Sequence, residues 1–316
     1  MALEVRDAVV EWIVVWSAKT GIAQSRLLGW LGVHRGRFHQ WKARRGQANR
    51  HNANLPRATW LLDGEVRAIL EFQSLHPTEG YRRLTYMMLD ADIVAVSPSS
   101  VRRVLARAGV LPTRFLKRSL KGTGFEQPLE PHQHWHVDVS HINIHGTFYY
   151  LCSILDGASR YLVHWELRAT MTTCDIEITM QRAKEQFPLA RPRIISDNGP
   201  QFIADEFKRF IRLCGMTHVR TSPYYPQSNG KIERWHRSMK AECIRPGTPL
   251  TLDDARRLLS GYAQHYNHER LHSALGYITP LARLQGRHTA IFAERRTKLT
   301  AATQRRQQAA GSRRQA

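Results

Sequence analysis

The stretch His134-Trp135-His136-Val137-Asp138-Val139-Ser140 begins the part of the chain whose pattern decides the fold. Polar and apolar side chains alternate along it, which is typical of a β-strand with one face in a core. Alternation turns Asp138 to one side of this strand and its valine neighbours to the other. A carboxylate on a core strand is costly unless it is paired or bound to a metal. Asp138 is therefore either a salt-bridged aspartate or part of a functional site.

Two further acids, Asp197 and Glu233, lie in short motifs downstream. Asp197 directly follows the apolar pair Ile194-Ile195, so we expect it at the C-terminal end of a buried strand, where open α/β folds place their sites. Asn198-Gly199 is also a plain turn signal, so this motif alone does not distinguish a site from a turn. Glu233 is expected to open a helix with an apolar stripe facing the core. The two motifs are Ile195-Ser196-Asp197-Asn198-Gly199-Pro200-Gln201-Phe202 and Ser228-Asn229-Gly230-Lys231-Ile232-Glu233-Arg234, and the stripe is Ile232, Trp235 and Met239.

Strand and helix patterns alternate around these acids. His145-Gly146 signals a turn between the first two strands, and later short apolar runs stand next to helical patterns. The expected elements are strands at 134–144, 147–155 and 160–167, a helix at 171–187, a strand at 193–196, a helix at 203–214 and a strand at 217–221. Strands first, followed by alternating helix and strand, is the order of the ribonuclease H-like fold.

At these three acids the chain resembles the integrase-core, or DDE, superfamily of retroviral integrases and bacterial insertion-sequence transposases. The resemblance runs from about Gly80 to Pro280 and fits the bacterial insertion-sequence type best. It implies a mixed α/β (α+β) fold, in which a ribonuclease H-like integrase core follows small all-α helix-turn-helix units. The segments that carry it outside the acid motifs are Gly80-Tyr81-Arg82-Arg83, Ser97 to Val110, Tyr266-Asn267-His268-Glu269-Arg270-Leu271-His272 and Leu275-Gly276-Tyr277-Ile278-Thr279-Pro280.

The resemblance also implies a chemistry. Asp138, Asp197 and Glu233 would be both the catalytic residues and the metal ligands, with Asp138 bridging two Mg²⁺ ions and one further acid on each ion; Mn²⁺ would substitute. The implied enzyme is a polynucleotidyl transferase that nicks the ends of an insertion sequence to expose a 3′-OH and joins it to target DNA. Two alternatives stay open: a nuclease of the same fold without strand transfer, and a domesticated, non-catalytic DNA-binding protein.

The charge of the chain favours a nucleic-acid partner, since its formal net charge is +21 at pH 7. Arg237 and Lys240 follow Glu233 at helical spacings of four and seven residues, so we expect them to hold DNA phosphates beside the acids; a solvated basic face is the alternative. The candidate DNA contacts of the core are Asn198, Tyr225, Gln227, Asn229, Lys231, Arg237 and Lys240.

The first part of the chain contains two helical patterns, each typical of a helix-turn-helix unit. In the first, a helix after Gly32 carries the candidate DNA contacts Arg35, Arg37, Gln40 and Lys42. In the second, Ser97-Pro98 supplies an N-cap and a first-turn proline, and the helix that follows carries Arg102, Arg103 and Arg107. An ordinary helical hairpin with a solvated basic face is the alternative for the first unit.

Five regions are therefore expected: a helix-turn-helix unit at 1–48, a second unit at 57–111, a basic linker at 112–130, the integrase-like core with C-terminal helices at 131–286, and a basic tail at 287–316 that is helical at best in part. The helical unit at the start favours a self-sufficient protein rather than one half of a frameshifted pair. Joining two DNA ends requires at least two protomers, so we expect a dimer or larger assembly on double-stranded DNA.

The cysteines and apolar runs favour the bacterial cytoplasm, with association with the nucleoid. Cys152, Cys174, Cys214 and Cys243 are widely spaced and read as reduced, buried thiols. No cysteine precedes Cys152, so the zinc module of retroviral integrases is not expected. His134, His136, His141 and His145 are interpreted as polar positions near DNA rather than zinc ligands. Neither a signal peptide nor a membrane span is expected.

Overall fold

The computed structural model describes residues 3–47, 60–111, 127–220 and 229–315. The chain divides into two compact units. One comprises residues 1–60 together with 306–316, and the other comprises residues 61–305. All three acidic positions belong to the larger unit.

Three short helices form the described N-terminal part of the smaller unit. They are α1 (Leu3–Thr20), α2 (Gln24–Trp30) and α3 (Arg35–Ala43). Their apolar faces meet in a core of Val10, Ile13, Leu27, Leu28 and Phe38. Gly32, with a φ of 62°, makes the turn between α2 and α3, because a left-handed conformation carries no steric cost for glycine. The expected pair of helices around Gly32 is confirmed.

The larger unit begins with three more helices, α4 (Asp63–Leu75), α5 (Tyr81–Asp90) and α6 (Pro98–Arg107). They bury a common apolar cluster that includes Ile69, Leu84 and Val101. The Ser97 hydroxyl accepts a hydrogen bond from the Ser100 amide, and Pro98 occupies the first turn of α6, as its sequence predicts. The sequence pattern had not indicated α4.

A five-stranded sheet forms the centre of the larger unit. Its strands are β1 (His134–Ile144), β2 (Thr147–Asp156), β3 (Leu162–Arg168), β4 (Arg193–Ser196) and β5 (Thr217–Arg220), arranged in the order β3-β2-β1-β4-β5. The first three strands are antiparallel, whereas β4 and β5 run parallel to β1. This mixed sheet confirms the ribonuclease H-like order of elements expected from the sequence.

Helices α7 (Thr173–Gln186), α8 (Pro200–Ile203) and α9 (Asp205–Leu213) cover one face of the sheet. Trp135 and Val137 of β1 point into this layer, as alternation predicts. The helix expected over 203–214 is confirmed as α9, but it begins two residues later because Ala204 is extended (ψ 138°) and separates α9 from the unexpected α8. The break lets the Phe202 and Phe207 rings pack edge to face with their centroids 5.5 Å apart.

The opposite face is covered by α10 (Gly230–Met239), a π-helical turn (Lys240–Ile244), α11 (Arg245–Gly247) and α12 (Leu252–His268). The predicted stripe is confirmed, since Ile232, Trp235 and Met239 are all buried. The Trp235 ring stacks on Tyr262 at 5.6 Å and meets Tyr266 edge to face at 4.6 Å. These aromatic contacts fix α10 between the sheet and α12.

The C-terminal segment is helical over almost its whole length, in α13 (Pro280–Leu284) and α14 (His288–Gln315). The prediction of a tail that is helical at best in part is therefore wrong. Alanine, arginine and glutamine are good helix formers. Tertiary ion pairs also hold the first half of α14: Arg295 binds Asp90 with distances of 2.7 and 2.6 Å, and Lys298 lies 2.9 Å from Asp92.

All four cysteines are free thiols. Cys152 and Cys243 are buried and Cys214 is partly buried, but Cys174 is exposed in the first turn of α7, so the prediction of a buried thiol is wrong at that position. Over the described ranges, no helix has the length and apolar character needed to cross a membrane.

Buried Asn267 connects α12 to the edge strand β3. Its side chain accepts a hydrogen bond from the Leu162 amide (2.9 Å) and donates one to the Leu162 carbonyl (3.0 Å). We expect Asn267→Ala to lower the free energy of unfolding by about 2 kcal/mol, because two buried backbone groups lose their partners. Urea unfolding followed by circular dichroism measures the loss. Exposed Gln264 on the same helix provides the control; a Gln264→Ala variant as destabilised as Asn267→Ala would contradict the assignment.

Candidate active site

Asp138 lies on the face of β1 that α10 covers. It is partly buried and stands opposite Ser153 of β2. The Ser153 hydroxyl lies 3.2 Å from both the Trp235 indole nitrogen and His236 Nε2, and His236 Nδ1 lies 3.4 Å from Asp138 Oδ2. Because the indole only donates, Ser153 accepts from Trp235 and has its own proton for His236 Nε2. This arrangement favours the histidine tautomer that carries its proton on Nδ1, towards Asp138.

Asp197 follows the last residue of β4, at the C-terminal end of a buried strand, as its motif predicts. His136 of β1 is paired with Ile195 of β4 in the parallel register. The paired register ends there, two residues before Asp138 on β1 and two residues before Asp197. Asp197 is exposed, and its Oδ1 accepts a hydrogen bond from the Gly199 amide at 2.9 Å.

Glu233 lies in the first turn of α10, where a carboxylate interacts favourably with the helix dipole. Its side chain is exposed. His236 is three residues further on, so the two side chains leave neighbouring positions on the same helix face. Since His236 contacts Asp138, Glu233 lies on the Asp138 side of α10, one turn nearer the helix start.

The three acids supply only carboxylate oxygens, which are the ligands that Mg²⁺ and Mn²⁺ prefer. Their donor chemistry therefore fits hard divalent cations. In the part of the chain that the structure describes, no three His, Cys, Asp or Glu side chains come close enough together to hold a metal ion. Asp197 follows the strand that pairs with β1, and Glu233 lies on the Asp138 side of α10, but the three carboxylates do not form a closed ligand set.

Comparison with known proteins finds similarity to this part of the chain. Two family models, both described as "Integrase core domain", match residues 128–226 and 214–280. Residues 128–280 of this chain are therefore similar to integrase core domains. The two matches span β1 to the start of α13, and so include all three acids.

Curated relatives match parts of the chain at low identity. The Intracisternal A-particle Pol-related polyprotein of mouse intracisternal a-particle MIA14 is 30% identical over 119 residues, which are 37% of this chain and 13% of the polyprotein. Transposase InsD for insertion element IS2A/D/F/H/I/K of Escherichia coli is 27% identical over 227 residues, covering 67% of this chain and 75% of InsD. A solved HTLV-2 integrase catalytic core domain in complex with magnesium is 22% identical over 49% of this chain and 98% of its own, with a TM-score of 0.39.

Asn229 and Lys231, at the start of α10, lie inside the matched region. Asn229 is 4% exposed, and the Lys231 ammonium donates to the Gly157 carbonyl at 3.0 Å. Burial and the nearby Arg160 charge lower the pKa of Lys231 to about 7. Lys231 anchors the start of α10, the helix that carries Glu233, to the turn after β2. The contact of Asn229 and Lys231 with DNA stays a prediction.

The four histidines in β1 and in the turn after it differ in exposure. His134 and His136 are buried, whereas His141 and His145 are exposed. Burial, with the positive charges of Lys231 and Arg160, lowers the pKa of His136 to about 3. A neutral, buried His136 is part of the packing beneath α10. The interpretation of the four histidines as polar positions near DNA stays a prediction.

The remaining candidate DNA contacts are mostly on the surface. Exposed side chains include Arg35, Arg37, Gln40 and Lys42 of α3, Arg102, Arg103 and Arg107 of α6, and Asn198 and Arg237. Lys240 is partly buried; burial lowers its pKa, and the Asp138 carboxylate acts in the opposite direction. Its ammonium thus lies within the field of the acid region. Tyr225 and Gln227 lie outside the described residues.

His236 is the residue of this site that sequence reasoning missed. It is buried and makes the contact between α10 and Asp138. A signal was available: a histidine three residues after Glu233 on a helix must share its face. The pattern was hidden because Trp235 and Met239 define a neighbouring apolar stripe, and a histidine beside such a stripe looks like a boundary position.

Positive charge is concentrated on the side of α10 that faces away from Asp138. Burial lowers the pKa of His272 to about 3, and the charges of Arg160, Arg270, Arg234 and Arg83 lower it further. His272 is therefore neutral in the folded protein over most of the pH range.

The lowered pKa of His272 makes the free energy of unfolding depend on pH. Between pH 6.5 and 3 the unfolded chain binds a proton at His272 that the folded chain rejects, so the free energy of unfolding falls as the pH decreases. We expect His272→Gln to make this fall shallower, by up to about 1.4 kcal/mol per pH unit. Chemical unfolding at several pH values measures the slope. His268, which is exposed on α12, is the control; equal slopes for wild type and His272→Gln, or the same change in His268→Gln, would contradict the burial effect.

Proposed function

We propose that this chain is a DDE-type transposase, which binds insertion-sequence ends, nicks them to expose a 3′-OH and joins that hydroxyl to target DNA. The contact of His236 with Asp138 carries the proposal, because it ties the helix of Glu233 to the strand of Asp138. The parallel register of β4 with β1 supports the place of Asp197 beside them. The transposase InsD, aligned over 67% of this chain, supports the choice of reaction.

The reaction consists of two displacements at phosphorus. In the first, a water oxygen forms a bond to the phosphorus at the element end, the bond to the leaving 3′-oxygen breaks, and the products are a 3′-OH and a 5′-phosphate. In the second, that 3′-OH attacks a target phosphodiester and displaces a target 3′-oxygen. One P–O bond forms and one breaks in each displacement, so neither an oxidant nor a nucleotide cofactor is required.

Asp138, Asp197 and Glu233 would hold two Mg²⁺ ions, with Mn²⁺ as a substitute. When bound, such ions stabilise negative charge on the attacking and leaving oxygens. The chain's own residues prepare the site: His236, backed by Ser153, fixes the Asp138 carboxylate, and Lys231 anchors the start of α10 to the Gly157 carbonyl. Orienting the carboxylates before DNA binds reduces the ordering needed during the reaction.

DNA would be bound by the basic surfaces outside the acid region. The exposed basic side chains of α3 and α6 support their use as readers of the terminal repeat. Arg237 and Lys240 follow Glu233 on α10, so they are suited to hold phosphates of the reacting end. Two ends must be joined, so we propose a dimer or larger assembly on DNA, acting on the bacterial nucleoid in the cytoplasm.

Replacing Glu233 tests the chemistry. With Mg²⁺ and labelled DNA that carries the element's ends, we expect wild type to give nicked and joined products, and Glu233→Gln to lose both by about 10³-fold or more, since charge stabilisation supplies most of such catalysis. Glu206→Gln, an equal change at an exposed acid on α9, keeps both products. Nicking without joining by wild type would replace the proposal with a nuclease, and DNA binding without either product would replace it with a non-catalytic DNA-binding protein.

The phosphate-holding role of Arg237 and Lys240 is tested by binding rather than by turnover. We expect Arg237→Gln combined with Lys240→Gln to weaken binding of a pre-cleaved donor end and to reduce the slope of log K against log salt by about 2, because two phosphate contacts are lost. Fluorescence anisotropy across a salt series measures the slope. The matched control is Arg209→Gln with Arg212→Gln, which removes two exposed charges from α9. Unchanged binding by the Arg237/Lys240 variant would remove this role.

A further inference from the structure

A cleft of about 340 Å³, including the space at its mouth, lies beside α10. It is on the side of α10 that faces away from Asp138 and β1. Its walls come from α5, α10, α12 and the segment that follows α12. Three arginines line it together with hydroxyl groups, and its lining contains no carboxylate. Its polar lining includes Arg83, Arg234, Ser238, Arg270, His272 and Ser273.

Two of the arginines are fixed in place. The Arg83 Nε donates to the Leu271 carbonyl at 3.1 Å, and its guanidinium also pairs with Glu79. Arg270 binds Glu242 in a two-bond arrangement, with distances of 2.7 and 2.6 Å. These contacts use only part of the five N–H donors on each guanidinium. Both groups are therefore oriented before any ligand arrives and retain donors for it.

The third arginine is different. Arg234 is exposed, and across the described ranges no carboxylate lies within ion-pair distance of it. The three arginines of the cleft thus face two carboxylates, Glu79 and Glu242, which leaves one positive charge without a partner. An unpaired guanidinium beside two fixed ones is suited to an anion that accepts several hydrogen bonds.

The surroundings of His272 are consistent with the same positive charge. Burial lowers its pKa, and the charges of Arg160 and of the three cleft arginines lower it further. The hydroxyls of Ser238 and Ser273, which line the cleft, are neutral groups that donate to an oxyanion. The cleft therefore combines net positive charge with hydroxyl donors, which matches the oxygens of a phosphate group.

We propose that this cleft binds a backbone phosphate of the DNA strand that leads to the acids. The inference rests on the proposed function. Arg234 directly follows Glu233 on α10, while Arg83 belongs to α5 of the helical segment that precedes the core. A DNA strand that runs from that helical segment to Glu233 crosses the cleft. A phosphate held in the cleft fixes the position of that DNA strand relative to the acids. None of these arginines belongs to the surfaces of Arg237 and Lys240 or of α3 and α6.

Arg234 gives the sharpest test, since it is exposed and its replacement leaves the fold intact. We expect Arg234→Gln to bind an end-bearing duplex about tenfold more weakly, as for loss of a charge-assisted hydrogen bond, and to reduce the salt slope by about 1. Arg234→Lys, which retains the charge, keeps the slope. Arg212→Gln removes the same charge from α9, on the opposite face of the sheet. An equal loss in Arg212→Gln would show that only net charge matters and would overturn the proposal.

A series of duplexes with one neutral methylphosphonate linkage each locates the phosphate. We expect one position near the element end to weaken binding to wild type and to have no further effect in Arg234→Gln, because the partner of that phosphate is already missing. If no position loses its effect in the variant, the cleft holds no DNA phosphate.

Inorganic phosphate distinguishes the source of the anion. If phosphate raises the melting temperature of wild type but not of Arg234→Gln, while both bind DNA equally, the ligand is a free phosphate and the DNA assignment is overturned. These measurements need no strand joining, so failure of the transposase reaction and failure of the cleft are separate results: a wild type that does not join DNA can still show the position-specific methylphosphonate effect, and a joining enzyme can lack it.

Discussion

The hydroxyl of Ser153 joins the two elements on which the active site depends. It accepts from the Trp235 indole and lies at hydrogen-bond distance from His236, and His236 in turn reaches Asp138. The buried aromatic packing of Trp235 against α12 supplies the attraction, but apolar contact alone would let α10 slide along the sheet. The polar contacts fix its position, since a shift would leave buried donors without acceptors. The location of Glu233 follows from that restriction.

Electrostatics divides the surroundings of α10 into two regions. On the sheet side, the acid region has carboxylates with a histidine and Lys240 nearby. On the other side, arginines surround the cleft next to Arg234. Electrostatic potentials of opposite sign on the two sides of one helix suit an enzyme whose substrate is a polyanion. DNA phosphates are attracted to the basic side, and hard cations are attracted to the carboxylates. The net charge of +21 adds a long-range attraction to DNA that does not depend on the DNA sequence.

Sequence reasoning succeeded where one local pattern controlled the outcome, and its errors have physical causes. Alternation located the strand of Asp138, and the Ser97-Pro98 signal located the start of α6. It missed the break at Ala204, because the packing of two phenylalanines from separate helices decides it. It underestimated α14, whose first half is held by acids more than two hundred residues earlier in the chain, as in the Arg295–Asp90 pair. Such pairs leave no periodic trace in the sequence.

The sequence by itself determined the order of strands and helices, the positions of the three acids on those elements and the preference for a polyanionic partner, because each depends on residue type and short-range spacing. The tertiary structure alone decided which polar residues face inward. Asn229 and Lys231 were expected on the surface, but Asn229 is buried and the Lys231 ammonium anchors α10 to Gly157. His236 and the arginines of the cleft gained their roles in the same way. The burial of a side chain and the groups that it contacts depend on how the helices and strands pack. A pattern in the sequence does not specify which side of a helix meets which strand.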